Sequence, residues 1–261
     1  MSEATPLLDL FRRGEVARDV RLLAAQGTLA PRAHEQLLIL VLLLDDSDLE
    51  IRQVADATLN SIPIEALETF LGRSDVSIGL REFFGDRGVF PAEIPKIEVD
   101  IDEPLIDVAP VEFGADEETE SDRASVMQRL QQMTFPDRLK AAMKGTKEMR
   151  SILIRDPNKM IAAAVLSSPK VTPQEAASFA RMASVSEDVL RAIGQNRSFM
   201  KSYGVTLGLA RNPKTPTALS LNLLTRLQDR DVQAISVDRN VPEPLRIAAR
   251  KKVIANTSGK G

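Results

Sequence analysis

Apolar residues recur along most of this chain at the three-and-four spacing of amphipathic helices, broken by short polar turns. In "SDLEIRQVADATLNSIP", Ile51, Val54, Ala55, Thr58 and Leu59 follow an i, i+3, i+4, i+7, i+8 stripe, and Ser47 and Glu50 have capping-box spacing. Two helical phrases, "PLLDLF" and "EVARDVRLLAAQ", precede "PRAHEQLLILVLLL", in which Pro31 suits the first helical position. The run "LLILVLLL", residues 37–44, is apolar on every face and predicts a helix buried by its neighbours on most sides. Two further helices, "IEALETFLG" and "DVSIGLREFFG", end at Gly72 and Gly85, which are expected to take the left-handed conformation that closes a helix.

The pattern fails between Pro91 and Asp122. Pro recurs at 91, 95, 104 and 110, and residues 93–122 hold 12 acidic side chains against the single Lys96. A segment of this kind cannot bury enough apolar surface to offset its ordering entropy, and it is read as a disordered linker. Within it, Ile97, Val99 and Ile101 alternate with charges in "KIEVDIDEPLIDVAPVEF". That stretch could pair as a strand or bind elsewhere as an extended peptide, although a lone strand is unstable by itself.

Helical periodicity resumes at Arg123 with "RASVMQRLQQM", "PDRLKAAMKG", "TKEMRSILIRD" and "PNKMIAAAVLS". Beyond them the chain repeats itself: "LSSPKVTPQEAASFARM" and "ARNPKTPTALSLNLLTRL" are offset by about 44 residues. Asn196, Asn212, Asn240 and Asn256 are separated by 16, 28 and 16 residues, each with an apolar residue three positions earlier. Asn tolerates the left-handed end of a helix and offers a side-chain oxygen to cap the next. Thr172, Pro173 and Glu175 form a complete helix start, and Thr215 and Pro216 repeat its first two parts.

The phrases "NPKTP", "SPKVTP" and "DRNVPEPLR" resemble the turns of HEAT-like and leucine-rich-repeat-variant solenoids, and "DSDLEIRQVADATLNSIPIEALETFL" resembles a HEAT-type repeat. From "FPDRLKAAMKG" to "DRNVPEPLRIAARKKV" the chain also resembles an uncharacterised family of bacterial helical-repeat proteins. The resemblance implies an all-α fold, a right-handed α-solenoid of helix-pair repeats of about 40–44 residues. It carries over no catalytic residue. The expected organisation is an N-terminal HEAT-like unit, 1–90, the acidic linker, 91–122, and a basic helical-repeat domain, 123–261.

Composition narrows the chemistry. The 261 residues include no Cys, one His, one Tyr and no Trp, which removes disulfides, thiolate metal sites and cysteine nucleophiles. The longest apolar run falls short of the ~18 residues of a membrane span, and "MSEATPLLDLF" lacks the basic start of a signal peptide. A soluble cytoplasmic protein without membrane or metal partners is expected. The formal charge of −3 conceals an asymmetry: residues 1–122 hold 10 basic and 27 acidic side chains, net −17, and residues 123–261 hold 24 and 10, net +14. Such a division points to polyanion binding by the basic half or to attraction between the halves.

No catalytic set emerges. His34 stands alone beside Glu35, which fits a surface or packing role better than a general base or ligand. Asp45, Asp46, Asp48 and Glu50 lack the Gly-centred alternation of a calcium loop and read as a polar turn placing negative charge at a helix start. No serine lies in G-x-S-x-G, and the terminal "SGKG" lacks the rest of a phosphate loop. The eight methionines read as core filling where aromatics are scarce. What remains is a set of cations near the predicted turns: Lys159, Lys170, Arg197, Lys201, Arg211, Lys214, Arg230, Arg239 and Arg246. Stacked repeats could align them along one edge to meet phosphates; alternatively they are solvated helix ends complementing the C-terminal dipole. Phe135, Phe179, Phe199 and Tyr203 are the few aromatics of this half that could stack on bases. The expected function is a non-enzymatic scaffold or adaptor that needs no cofactor and binds a protein partner through its solenoid surface. The alternative is sequence-nonspecific nucleic-acid binding by the basic half, autoinhibited by the acidic linker.

Overall fold

Leu, Ala, Arg, Glu and other strong helix formers dominate the chain outside its Pro-rich centre, and the structure follows that bias. It is a computed structural model that describes residues 5–29, 32–92, 105–106 and 120–258, with side chains omitted for 120–124 and 256–258. Among the described residues it is all-helical, without strands. Two compact units divide it: residues 1–149 with 167–169, and residues 150–166 with 170–261.

The first unit contains α1 (Pro6–Arg12), α2 (Arg18–Ala25), α3 (Ala33–Leu43), α4 (Leu49–Asn60), α5 (Ile64–Leu71), α6 (Ile78–Gly85), α7 (Glu120–Gln132) and α8 (Phe135–Lys144). α3 packs on α1, α2 and α4; within the apolar run Leu37, Ile39, Leu40 and Leu43 are buried, Leu38, Val41 and Leu44 are half-buried, and Leu42 is exposed. The α4 stripe is also present, with Ile51, Ala55 and Leu59 turned inward. Arg18 holds α2 to the start of α4, its Nε donating to Asp48 at 2.6 Å while its Nη2 reaches Glu50 at 2.5 Å. At the end of α5, Arg81 from α6 donates to the carbonyls of Leu71 and Arg73, groups that no helical N–H can reach.

Several local expectations change. The N-cap of α4 is Asp48, which accepts from the Glu50 N–H at 2.9 Å, and Ser47 does not cap it. A carboxylate is the stronger acceptor at the positive end of a helix, and Arg18 fixes this one in place. Gly72 closes α5 in right-handed geometry (φ −69°), and Gly85 remains the last helical residue of α6. The left-handed turns belong to Gly27 (φ +77°) and Gly88 (φ +80°), as well as Gly14. The overshoot after α6 thus comes three residues later than the sequence implies. Pro31 lies outside the described residues, as does most of the 91–122 segment, in which Leu105 and Ile106 are half-buried against the first unit and α7 begins at Glu120.

The boundary between the units falls within α9 (Lys147–Leu153). The second unit continues with α10 (Lys159–Ser167), α11 (Pro173–Arg181), α12 (Glu187–Gln195), a 3₁₀ turn (Phe199–Lys201), α13 (Tyr203–Arg211), α14 (Thr217–Leu224), α15 (Asp229–Val237) and α16 (Glu243–Ser258). The start of α11 is the capping box that "TPQE" predicts, with Thr172 Oγ1 accepting from the Glu175 N–H and Glu175 Oε2 accepting from the Thr172 N–H. Thr215 does not copy it. Pro216 occupies the cap position of α14, and Thr215 is buried before it.

That burial recurs. Val16, Ile62, Val76, Val171, Val185, Thr215, Leu227 and Val241 each lie two positions before the first residue of a helix, and each is buried. A side chain there packs under the incoming turn and fixes the angle at which the chain enters the helix. Ile62 to Val76, Val171 to Val185 and Leu227 to Val241 are each 14 residues apart, a shorter recurrence than the 44-residue offset read from the turn phrases. The asparagines do not recur in one role. Asn196 and Asn212 close α12 and α13 in extended geometry (ψ 112° and 124°), not left-handed, and Asn256 lies inside α16.

Candidate partner and polyanion interface

Three helices of the second unit run side by side in one direction. α11 and α13 approach closely because small residues face each other: a Cβ placed on Gly204 would lie 3.4 Å from Ala177 Cβ, and one on Gly208 only 3.1 Å from Ala180 Cβ. Their C-terminal ends are joined by Asn212, which is 2% exposed. Its Nδ2 donates to the carbonyls of Ala180 at 2.8 Å and Met182 at 3.1 Å, and its Oδ1 accepts from the Lys214 N–H at 3.0 Å. α13 and α15 meet at both ends. Arg211 pairs with Asp238 at 3.4 Å where they finish, and the Tyr203 hydroxyl donates to Asp231 where they start.

This common direction settles where the candidate cations stand. Arg211 ends α13, Lys214 and Arg239 occupy the turns after α13 and α15, and Arg246 lies in the first turn of α16 that follows. Lys170, Lys201 and Arg230 stand at the opposite, N-terminal ends of α11, α13 and α15, and Arg197 lies in the turn leading to α13. Lys159 begins α10 and pairs with Asp188 of α12 at 3.1 Å. The residues on α11, α13, α15 and their adjoining turns are therefore shared between the two ends of that layer. Arg246 is half-buried and the other eight are exposed. Among the described residues, Arg197, Lys201, Lys214, Arg239 and Arg246 form no ion pair.

The aromatic residues are committed elsewhere. Phe179 and Phe199 are buried in the core, and Phe135 is half-buried. Tyr203 donates to Asp231 and accepts from the Gln228 N–H at 3.2 Å. Burial, reinforced by the bond to Asp231, pushes its hydroxyl above the ordinary tyrosine range. Among the described residues of this unit, the large apolar side chains that are exposed are Val237, Ile247 and Ile254, at 70%, 44% and 65%. Ile247, Lys251 and Ile254 follow i, i+4, i+7 spacing and share one face of α16.

In the first unit, His34 is buried with its ring edge-on to Phe70, centroids 6.0 Å apart, which is the packing role. The acidic turn is tied down by arginines: Arg21 pairs with Asp46 at 3.3 Å and Arg18 with Asp48 and Glu50. The bond from Arg18 holds the Asp48 carboxyl below its usual range. Among the described residues no group of three or more His, Asp or Glu is arranged to hold a metal ion, and no helix is long and apolar enough to cross a membrane.

Two features were not anticipated from sequence. Arg150 and Glu175 form a buried ion pair, Nη2 to Oε1 at 2.9 Å, with Nε to the same oxygen at 3.1 Å. Their side chains are only 3% and 6% exposed. The pair ties α9 to the capping box of α11, whose other Glu175 oxygen already serves Thr172. Neither residue type advertises this, because Arg and Glu on helices are ordinarily solvated. The second is Gln36, 1% exposed, whose side-chain amide reaches Ile106. Comparison of the chain with protein-family models, curated proteins and solved structures yields no match.

Proposed function

We propose that the chain is a non-enzymatic helical-repeat scaffold, a right-handed α-solenoid that binds another protein through its surface. The observation that carries this reading is the exposed face of α16, where Ile247 and Ile254 flank Lys251 and Val237 of the adjoining α15 is also exposed. Isolated apolar residues on a surface need no explanation, but two isoleucines flanking a lysine on one helix face suit a partner bearing apolar and acidic groups. In the basic half, Phe179 and Phe199 are buried and Tyr203 is hydrogen-bonded, which supports the same preference because these rings are not free to stack on a base. The test is affinity capture from a native extract with the full chain and with Ile247→Asp/Ile254→Asp. Saturable recovery of a protein partner by the unaltered chain and its loss with the double variant are expected. Recovery of nucleic acid alone would overturn the proposal.

A second reading, sequence-nonspecific nucleic-acid binding, draws on the five cations that form no ion pair, Arg197, Lys201, Lys214, Arg239 and Arg246. Phosphate neutralisation by such residues gives affinity that falls steeply with salt. Fluorescence anisotropy on labelled duplex and single-stranded DNA and RNA across a salt series decides it. The acidic 93–122 segment, acting as a competing polyanion, would make its deletion tighten binding; unchanged affinity removes the autoinhibition.

A further inference from the structure

Gln36 occupies the first turn of α3, almost wholly out of solvent, and its side-chain amide is fully used. Nε2 donates to the Gly27 carbonyl at 2.9 Å and to the Ile106 carbonyl at 2.9 Å, and Oε1 accepts from the Ile106 N–H at 3.1 Å. One side chain therefore satisfies both backbone groups of a residue 70 positions away. This is the donor–acceptor pair that a neighbouring strand presents to an extended residue, supplied here by a glutamine. The anchor side chain is accommodated by the adjoining turn. Gly27 adopts φ +77°, and a Cβ placed there would lie 3.5 Å from Ile106 Cβ and 3.4 Å from Thr58 Cγ2. Gly27 thus provides a bare backbone floor beside Thr58, on which a β-branched side chain rests.

We propose that this Gln36–Gly27 groove is a peptide-recognition site on the first unit. Its occupant in this chain is the Leu105–Ile106 segment, and its partner in trans is an extended protein segment carrying an Ile or Val anchor. Recognition through backbone atoms is indifferent to most of the bound sequence; only the anchor position is read. A segment of the same chemistry on another protein therefore competes with Ile106 on equal terms, apart from the tether. Covalent attachment gives the resident segment an effective concentration in the millimolar range for a short connection, and this sets how strongly it excludes a competitor. The site is separate from the α16 face proposed above, and its test does not depend on that reading.

The experiment is fluorescence anisotropy with a labelled peptide of residues 102–109, "DEPLIDVA", added to the full chain and to two variants. Ile106→Asp removes the resident anchor without touching a helix. It should bind the peptide about tenfold more tightly than the unaltered chain, because the tethered competitor is gone. Adding Gln36→Met to Ile106→Asp should abolish binding. A peptide N-methylated at the Ile106 position lacks the N–H that Gln36 Oε1 accepts, and it should bind Ile106→Asp at least tenfold more weakly. That arm needs no change in the protein, so a Gln36 variant that fails to fold does not shelter the proposal. Equal affinity for the unaltered chain and Ile106→Asp, or indifference to the N-methyl group, overturns it. So does sedimentation showing that Ile106 is engaged only in a dimer, since the groove would then hold a second copy's segment.

Discussion

Replacing Asn212 by Ala tests the joint between α11 and α13. The side chain makes three hydrogen bonds at 2.8, 3.1 and 3.0 Å and is 2% exposed, so no water can readily take its place. Each bond contributes about 1 kcal/mol net; the buried Ala180 carbonyl loses this donor, whereas Met182 keeps the Val185 N–H at 3.3 Å. A loss of about 3 kcal/mol follows for Asn212→Ala, equivalent to a fall of about 10 °C in the melting temperature of a unit of this size. Two sister residues calibrate the measurement. Half-buried Asn196 makes one bond, accepting from the Phe199 N–H at 3.0 Å, and its replacement should cost about 1 kcal/mol. Exposed Asn240 contributes only its backbone N–H, to Asp238, and Asn240→Ala should lie within about 0.5 kcal/mol of the parent. Urea unfolding followed by far-ultraviolet circular dichroism gives the three values. Amide exchange at Lys214 should accelerate in Asn212→Ala alone. Equal costs at positions 212 and 240 would refute the cross-helix role and return all the asparagines to the local turn role that the sequence implies.

Helix spacing gives a second test: Gly208→Leu should destabilise by about 2–3 kcal/mol, since even a Cβ there is 3.1 Å from Ala180, whereas Gly204→Ala at 3.4 Å should be neutral or stabilising in the same unfolding assay. Arg150→Met should cost about 3–5 kcal/mol by stranding a buried carboxylate, and Arg150→Met/Glu175→Gln should recover part of it; a fully additive double variant would argue against the pair. Tyr203 is the sole tyrosine and there is no Trp, so tyrosinate absorbance reads one group. Its ionisation should fall above the ordinary midpoint of about 10 and move down in Asp231→Asn; because the folded state prefers the protonated hydroxyl, this stabilisation is complete below about pH 10 and is lost as pH rises through the elevated value. Asp75, held below its usual range by Arg73, acts in the opposite sense. Stability from it is present above about pH 4 and is lost as pH falls through its depressed value, so Asp75→Asn should flatten the acid limb of the stability profile.

Patterns carried within a few residues were legible. The α4 stripe, the helical α3 run and the Thr172–Glu175 capping box all depend on neighbours three or four positions apart, which sequence displays directly. Turn geometry was less so. Gly72 and Gly85 carry the usual residue type for a left-handed cap, yet the chain defers that conformation to Gly88, where the Gly88 and Val89 N–H groups return to Gly85 and Phe84. The asparagines look alike in sequence because residue type does not reveal what lies opposite. Only the packing of α13 on α11 makes Asn212 different from Asn240. The placement of the cations was not legible for a related reason: spacing marks a residue as belonging to a turn but not which end of the layer that turn occupies. Gln36 could not have been singled out at all, since a glutamine in the first turn of a helix is commonplace and its partner lies 70 residues away.

That separation sets an order of events in folding. The cross-links inside the second unit join residues 25 to 32 positions apart, Arg150 with Glu175 and Asn212 with Ala180, so each closes a short loop between elements that form close together in the chain. Chains dominated by such low-contact-order pairings assemble quickly. The contact of Gln36 with Ile106 closes a far longer loop and needs the α2–α3 turn and α4 already in place to receive it. It should be the last hydrogen-bonded contact of the first unit to form and the first to open, making protection of the Ile106 amide a marker that this unit has finished folding.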